Sequence, residues 1–290
     1  MGAEEISSFG FSMMAVGGLI GSVGAAFMTQ NFEPHYCFMI QAFESLLFVI
    51  LASRLSTDVE QIGLEHLGQK SFTENLSDNY YLMKEALKRP VYYRVIMYCI
   101  VTGLFAPSFG SFGYFFTMDV LGISKFTYSM LTILGFVSLL AGTQLYRFWG
   151  KDYEYRSLIL IDVGISLLLA PLSFILIFRL NVAWGIPDLS IIIFTELSNG
   201  IVSQCLLGLP FSVLMAKICP KRVEATSFAM LATISSLKHP VSAWFGTWLN
   251  TTYVGVTKDD MSNYWILVTI SSACGLFYAL SFLWLIPTKA

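Results

Sequence analysis

Charge is what this sequence has least of. Asp, Glu, Lys and Arg make up 12% of its 290 residues, about half the roughly 25% of a soluble domain. Such a chain is not built to face water on every side. A basic excess is missing too: the formal net charge is −2, which excludes the electrostatic footprint of a nucleic-acid binder. The five cysteines (37, 99, 205, 219 and 274) form no CxxC pair. They read as small buried apolar residues, and neither a disulfide framework nor a metal site is implied. There is no HExxH, no phosphate-binding GxxxxGKS and no nucleophile elbow. Of three histidines, His35 and His66 fall in connecting segments. No enzyme, cofactor or metal centre is expected. The opening "MGAEEISSFG" has two acids and no Arg, unlike a signal or transit peptide, and Ile6 stands where a myristoylation signal wants Ser or Thr.

What the chain does have is apolar length. Hydrophobic residues make up 56% of it, mean hydropathy is +0.67, and several runs match the ~20 residues that cross a bilayer core. The reading is an all-α integral membrane protein of about eight helices, over 6–30, 36–53, 93–117, 126–148, 157–178, 190–217, 226–249 and 264–286. Most connections are short; the polar stretch 54–90 is the exception, with "NYYLMKEALKRP" as a surface helix ending at Pro90. Eight spans put both termini on one side. Of the 17 Lys and Arg, only Lys125, Arg179 and Lys258 then fall on the other side, and Lys238 inside a span. By the positive-inside rule the termini are cytoplasmic, or on the matrix or stromal side of an organelle.

The polar residues inside these spans matter most, because a charge at bilayer centre costs about 2.5–3.5 kcal/mol on insertion scales and marks function by default. Lys238, in "SSLKHPVSAW", is roughly 17 Å from either end of its span. Ser235 and Ser242 share its face at i−3 and i+4; His239 reads as a packing histidine beside Pro240. Glu196 heads a stripe with Asn199, Ser203 and Gln204, a face suited to water or ligand rather than lipid. Glu44 and Asp162 are possible ion-pair partners of a cation. Depth matches Glu44 to Lys238 better than Glu196, but depth alone assigns no pair.

Gly10, Gly17, Gly21 and Gly24 recur at spacings of about four or seven in the first span, a candidate close-packing face. Pro107, Pro171, Pro210 and Pro240 sit inside spans, where Pro breaks or kinks helices.

The run "LLGLPFSVLMAKICPKRVEATSFAMLATISSLKHPVSAWFGTWL" resembles the folate–biopterin transporter family of the major facilitator superfamily, with its "P…A…CP…EGT.FA…S" pattern. The matching positions are Pro210, Ala216, Cys219, Pro220, Glu224, Thr226, Phe228, Ala229 and Ser235; Ala225 replaces the family glycine. "APSFGSFGYFFTMDVLGISKFTYSML" is similar to a second family stretch. The family has about twelve spans, and the eight here look like the last two of its first half and all six of its second. The resemblance therefore implies a partial major-facilitator bundle: 1–53 as two first-half helices, 54–90 as the cytoplasmic inter-half loop, 91–290 as the six-helix second half.

The resemblance also implies a central cavity lined by spans 3 and 6, with the Glu196 stripe facing it. A folate- or pterin-like anion would move by proton-coupled rocking. Lys238 would attract a carboxylate or pterin oxygen, and Glu196 would bind ring N–H groups or carry the proton. In the loop motif Cys219, Pro220, Glu224 and Thr226, Glu224 would pair with Lys221 or Arg222. Alternating access usually needs two opposed halves, so the expected partners besides the lipid bilayer are a second copy or other membrane subunits. A second reading stays open: a non-transporting accessory subunit of a larger membrane complex, derived from such a transporter. So does a third, that the chain is a fragment.

Overall fold

The computed structural model describes residues 3–54, 72–219 and 224–285. Every regular element among them is helical: α1 (Ala3–Asn31), α2 (Pro34–Arg54), α3 (Phe72–Lys88), α4 (Pro90–Phe105), α5 (Gly110–Phe115), α6 (Lys125–Phe148), α7 (Tyr155–Ile177), a single turn Leu180–Ala183, α8 (Asp188–Ser203), α9 (Leu209–Ile218), α10 (Glu224–Leu249) and α11 (Tyr264–Leu285). This is what a water-free core demands, since only helices and closed barrels satisfy their backbone groups internally. Three π-helical segments, Phe116–Val120, Gln204–Gly208 and Asn250–Val254, extend α5, join α8 to α9 and extend α10. The protein is an all-α membrane protein.

Four stretches are long and apolar enough to span alone: Glu4–Met28, Lys125–Phe148, Tyr155–Ile177 and Asp188–Ile218; α4 with α5 makes a fifth if the bent pair is one span. His35–Leu51 and Tyr264–Gly275 are shorter apolar helices. α10 has the length, 26 residues, and carries Lys238 and His239 at its middle. These helices fall at the eight positions expected from the sequence.

The prolines explain most boundary shifts. The polar helix α3 stops at Lys88, not Pro90, because Arg89 before the proline is extended (φ −69°, ψ 127°) and Pro90 opens α4. At Pro107 the third span breaks, and α4 and the helix following it are bent by 48°. The freed backbone is satisfied by α10: Ser242 Oγ donates to the Ala106 carbonyl, and the Ser108 N–H donates to the Ser242 carbonyl at 3.0 Å. Pro171 and Pro240 sit inside continuous helices.

Packing runs as a chain of neighbours. α1 lies along α6, α6 along α8, α8 against α7, α7 against α11, α11 against α4, and α4 against α10. α9 sits between α1, α4 and α10. α2 touches little besides α1, and its large apolar side chains, Phe38, Met39, Phe43 and Phe48 among them, are exposed. Close approaches occur where a side chain is missing. A Cβ at Gly142 would meet the Ile201 carbonyl at 2.7 Å, and one at Gly200 would meet Ser138 Cβ at 2.6 Å, so α6 and α8 interlock through small residues. At Gly246 a Cβ would run into the Ser108 backbone, and at Gly18 into the Phe136 ring. The glycines expected to pack behave differently: a Cβ at Gly10, Gly17, Gly21 or Gly24 finds nothing within 4 Å.

The turns opposite the Glu4 end are tied by side chains. Buried Asn250 donates to the Val256 carbonyl (2.8 Å) and accepts from its N–H (3.0 Å), while Gly255 takes the left-handed conformation that ends the helix (φ 74°). Asn181 donates to Ile186 O and Asp188 Oδ1, and Arg179 pairs with Asp188 at 2.8 Å. In the 257–262 turn, hydrogen bonds from Ser262 hold the exposed Asp260 carboxyl below its usual range.

Candidate functional site

A cavity of about 660 Å³ lies among α5, α6, α7, α8 and α11. α6, α8 and α11 begin beside it and α7 ends there, so it occupies the half of the bundle facing the 121–125, 178–188 and 255–263 connections. Helices that begin at one level present their first turns to a common space, and here those turns carry unusual polarity. Tyr114, Thr117, Tyr128, Thr132, Ser173, Thr195, Glu196 and Tyr264 line it among apolar neighbours. Its volume is in the range of a small-molecule site, roughly 300–1,000 Å³.

Aromatic rings shape the walls. Tyr114 and Tyr128 meet edge to face at 5.0 Å and 89°, and Phe116 stacks on Tyr264 at 4.8 Å. The Tyr264 hydroxyl lies over Gly113, where a Cβ would meet it at 3.2 Å. The Tyr128 hydroxyl is within electrostatic reach of Glu196. Thr195 Oγ1 is buried without a hydrogen-bond partner, leaving an acceptor and donor for whatever fills the space.

Of the Glu196 stripe, Glu196 lines the cavity, and Asn199 and Ser203 are exposed along the same helix. Gln204 turns inward: it is buried, with Nε2 3.5 Å from Thr143 Oγ1 on α6. Lys238 does not line the cavity. Its face of α10 is seated on α4, with Lys238 Cα 3.2 Å from where a Gly103 Cβ would stand. Cys99 of α4 stands beside Ser235 and Lys238 on this face. Among the described residues no carboxylate pairs with Lys238. Glu44 is exposed on α2, and among the described residues no cation pairs with it. Asp162 is buried on α7, and its Oδ1 has no hydrogen-bond partner.

In the loop motif, Cys219 Sγ donates to the Met215 carbonyl at 3.1 Å and Thr226 is exposed. Pro220, Lys221, Arg222 and the Glu224 side chain lie outside the described residues, and with them the expected Glu224 pairing. At this same end Glu4 of α1 pairs with Lys217 of α9 at 2.7 Å, and Lys217 lies over the Tyr155 ring. Sequence reasoning missed the tyrosines and Thr195, because aromatic residues in an apolar run carry no periodic signal that separates a wall from a lipid face.

The BT1 family profile matches residues 2–290. The folate-biopterin transporter of Synechocystis is 28% identical over 98% of this chain and 55% of its own length. Probable folate-biopterin transporter 8, chloroplastic, of Arabidopsis thaliana is 26% identical over 97% of this chain and 51% of its own length. Probable folate-biopterin transporter 2 of the same plant is 34% identical over 54% of this chain. The chain thus spans about half the length of the curated relatives it matches. No solved structure matches it.

Proposed function

From the premise that the chain belongs to the BT1 family, we propose that it forms part of a membrane transporter for folate- or pterin-like organic anions. The observation that carries this reading is the polar, ring-lined cavity with Glu196 in its wall. Aromatic rings in the wall suit packing against a flat heterocycle, and a carboxylate at membrane depth suits either its ring N–H groups or a coupled proton. Asn199 and Ser203 continue the polar path along α8. In this reading 91–290 is a six-helix half, 1–53 supplies two helices beside it, 54–90 joins them, and the Lys/Arg bias puts both termini on the cytoplasmic, matrix or stromal side. Lys238 is not assigned to the ring site; its ammonium awaits a substrate carboxylate or a partner chain.

The test is uptake of labelled folate and pterin into liposomes, with the chain alone and with whatever membrane subunits copurify. Glu196→Gln removes one charge-assisted contact, about 1.5–3 kcal/mol, so uptake efficiency should fall roughly ten- to hundredfold at unchanged protein level. Unchanged uptake in this variant would sink the role given to Glu196.

A second reading has its own support. Glu44 and Gln41 are exposed in the middle of the apolar α2, and a carboxylate left facing lipid is costly. A partner covering α2, either a second copy or another membrane subunit, fits that observation. If the gently solubilised particle is a large hetero-complex without uptake, an accessory-subunit role replaces transport.

A further inference from the structure

We propose that Asp162 and the serines around it form a binding site for one monovalent metal cation, between α7 and α11 and separate from the Glu196 cavity. A second cavity, of about 270 Å³, lies there, lined by Asp162, Val163, Ser166, Leu167 and Ala170 of α7 and by Ser271, Ser272 and Gly275 of α11. Asp162 is only 7% exposed, it lines this space, and its Oδ1 has no hydrogen-bond partner. A buried carboxylate oxygen left without a donor carries a penalty that a proton, a donor or a cation must remove.

The surroundings select among these. Ser166 stands one turn on from Asp162, at i+4, and Ser271 and Gly275 are likewise one turn apart. Ser272 already donates its hydroxyl proton to the Val268 carbonyl at 2.9 Å. Its oxygen is therefore free as an acceptor and cannot donate to Asp162. Among the described residues the lining polar side-chain atoms are all oxygens, the donor set of hard cations. Among the described residues no second carboxylate lines the space, so a single positive charge leaves the site neutral, whereas a divalent ion would leave net charge in a low-dielectric interior. Gly275, where a Cβ would meet nothing within 4 Å, keeps the volume open for an ion with a water or two. Ser166 and Ser271 are exposed and form its open side.

The test uses the whole purified chain in detergent, its melting followed by tryptophan fluorescence across a NaCl series, with choline chloride holding ionic strength constant. The expected result is a Tm that climbs with sodium and saturates, as for any ligand that binds only the folded state. Asp162→Asn should abolish the climb while melting no lower than the parent in choline, because it removes the buried charge and keeps the shape. Should Asp162→Asn not fold, Ser272→Ala carries the test: it should move the NaCl midpoint up by about tenfold, the loss of one contact to a charged group. Glu196→Gln should keep the parent's sodium response; its loss would overturn the claim of a separate site. Equal Tm in sodium and choline overturns the proposal. So does a Tm that follows pH but not sodium and loses that dependence in Asp162→Asn, which would make the occupant a proton.

Discussion

At the scale of single residues, polarity inside the membrane separates into groups that are used and groups that wait. Ser242 and Asn250 are used: one satisfies the carbonyl freed at Pro107, the other locks the turn before Val256. Asn250→Ala removes two buried hydrogen bonds and should lower stability by about 1–3 kcal/mol, read as a drop in Tm without loss of helical circular dichroism. Thr195 waits. Its hydroxyl is buried and unpartnered, so Thr195→Val should leave thermal stability unchanged or slightly higher, because an unsatisfied group is replaced by an isostere. If the cavity binds the transported ring, the same substitution should weaken ligand binding in a titration. A large fall in stability instead would mean that Thr195 is partnered in the native protein.

At the scale of helices, small residues decide where backbones meet. Gly246→Val drives a side chain into the Ser108 backbone and should destabilise by about 1–3 kcal/mol, the range of overpacked cores. Gly21→Ala should be neutral or stabilising by about 0.5–1 kcal/mol, since its Cβ meets open space and the helix gains propensity. Thermal melts of the two variants side by side check both, and equal losses would refute this assignment of faces. The Glu4–Lys217 ion pair across α1 and α9 is partly exposed. Lys217→Met should therefore change stability by no more than about 1 kcal/mol, with whatever effect there is fading at high salt.

At the scale of the whole molecule, the helices form a neighbour chain, and the cavities at Glu196 and at Asp162 differ in character. The larger opens among the first turns of α6, α8 and α11 and is walled by rings. The smaller lies between α7 and α11, where Asp162 and three serines stand among apolar neighbours. Chain order alone could not have paired these elements, because α8 meets α6 and α11 meets both α4 and α7. Exposed apolar side chains cover α1, α2 and much of α10, as lipid or partner-facing helices require, and the size of the native particle in mild detergent will say which surface meets protein.

The sequence by itself determined the class, the helices and the polar residues worth watching. Scarce charge and long apolar runs force helices in a medium without water, and Pro90 and Pro107 mark two places where those helices break. It also singled out Glu196, which the structure sets in the wall of the larger cavity, while the rest of its stripe lies elsewhere. Tertiary structure decided the rest. Lys238 shares a face with Ser235 and Ser242, as its spacing says, but only packing shows that this face rests on α4 rather than on open space. Glycine spacing singled out Gly10, Gly17, Gly21 and Gly24, whereas the close contacts fall at Gly18, Gly142, Gly200 and Gly246. Spacing records which residues share a face of one helix. Which face meets a neighbour depends on crossing angles and on the partner's shape, and those are set only when the bundle assembles.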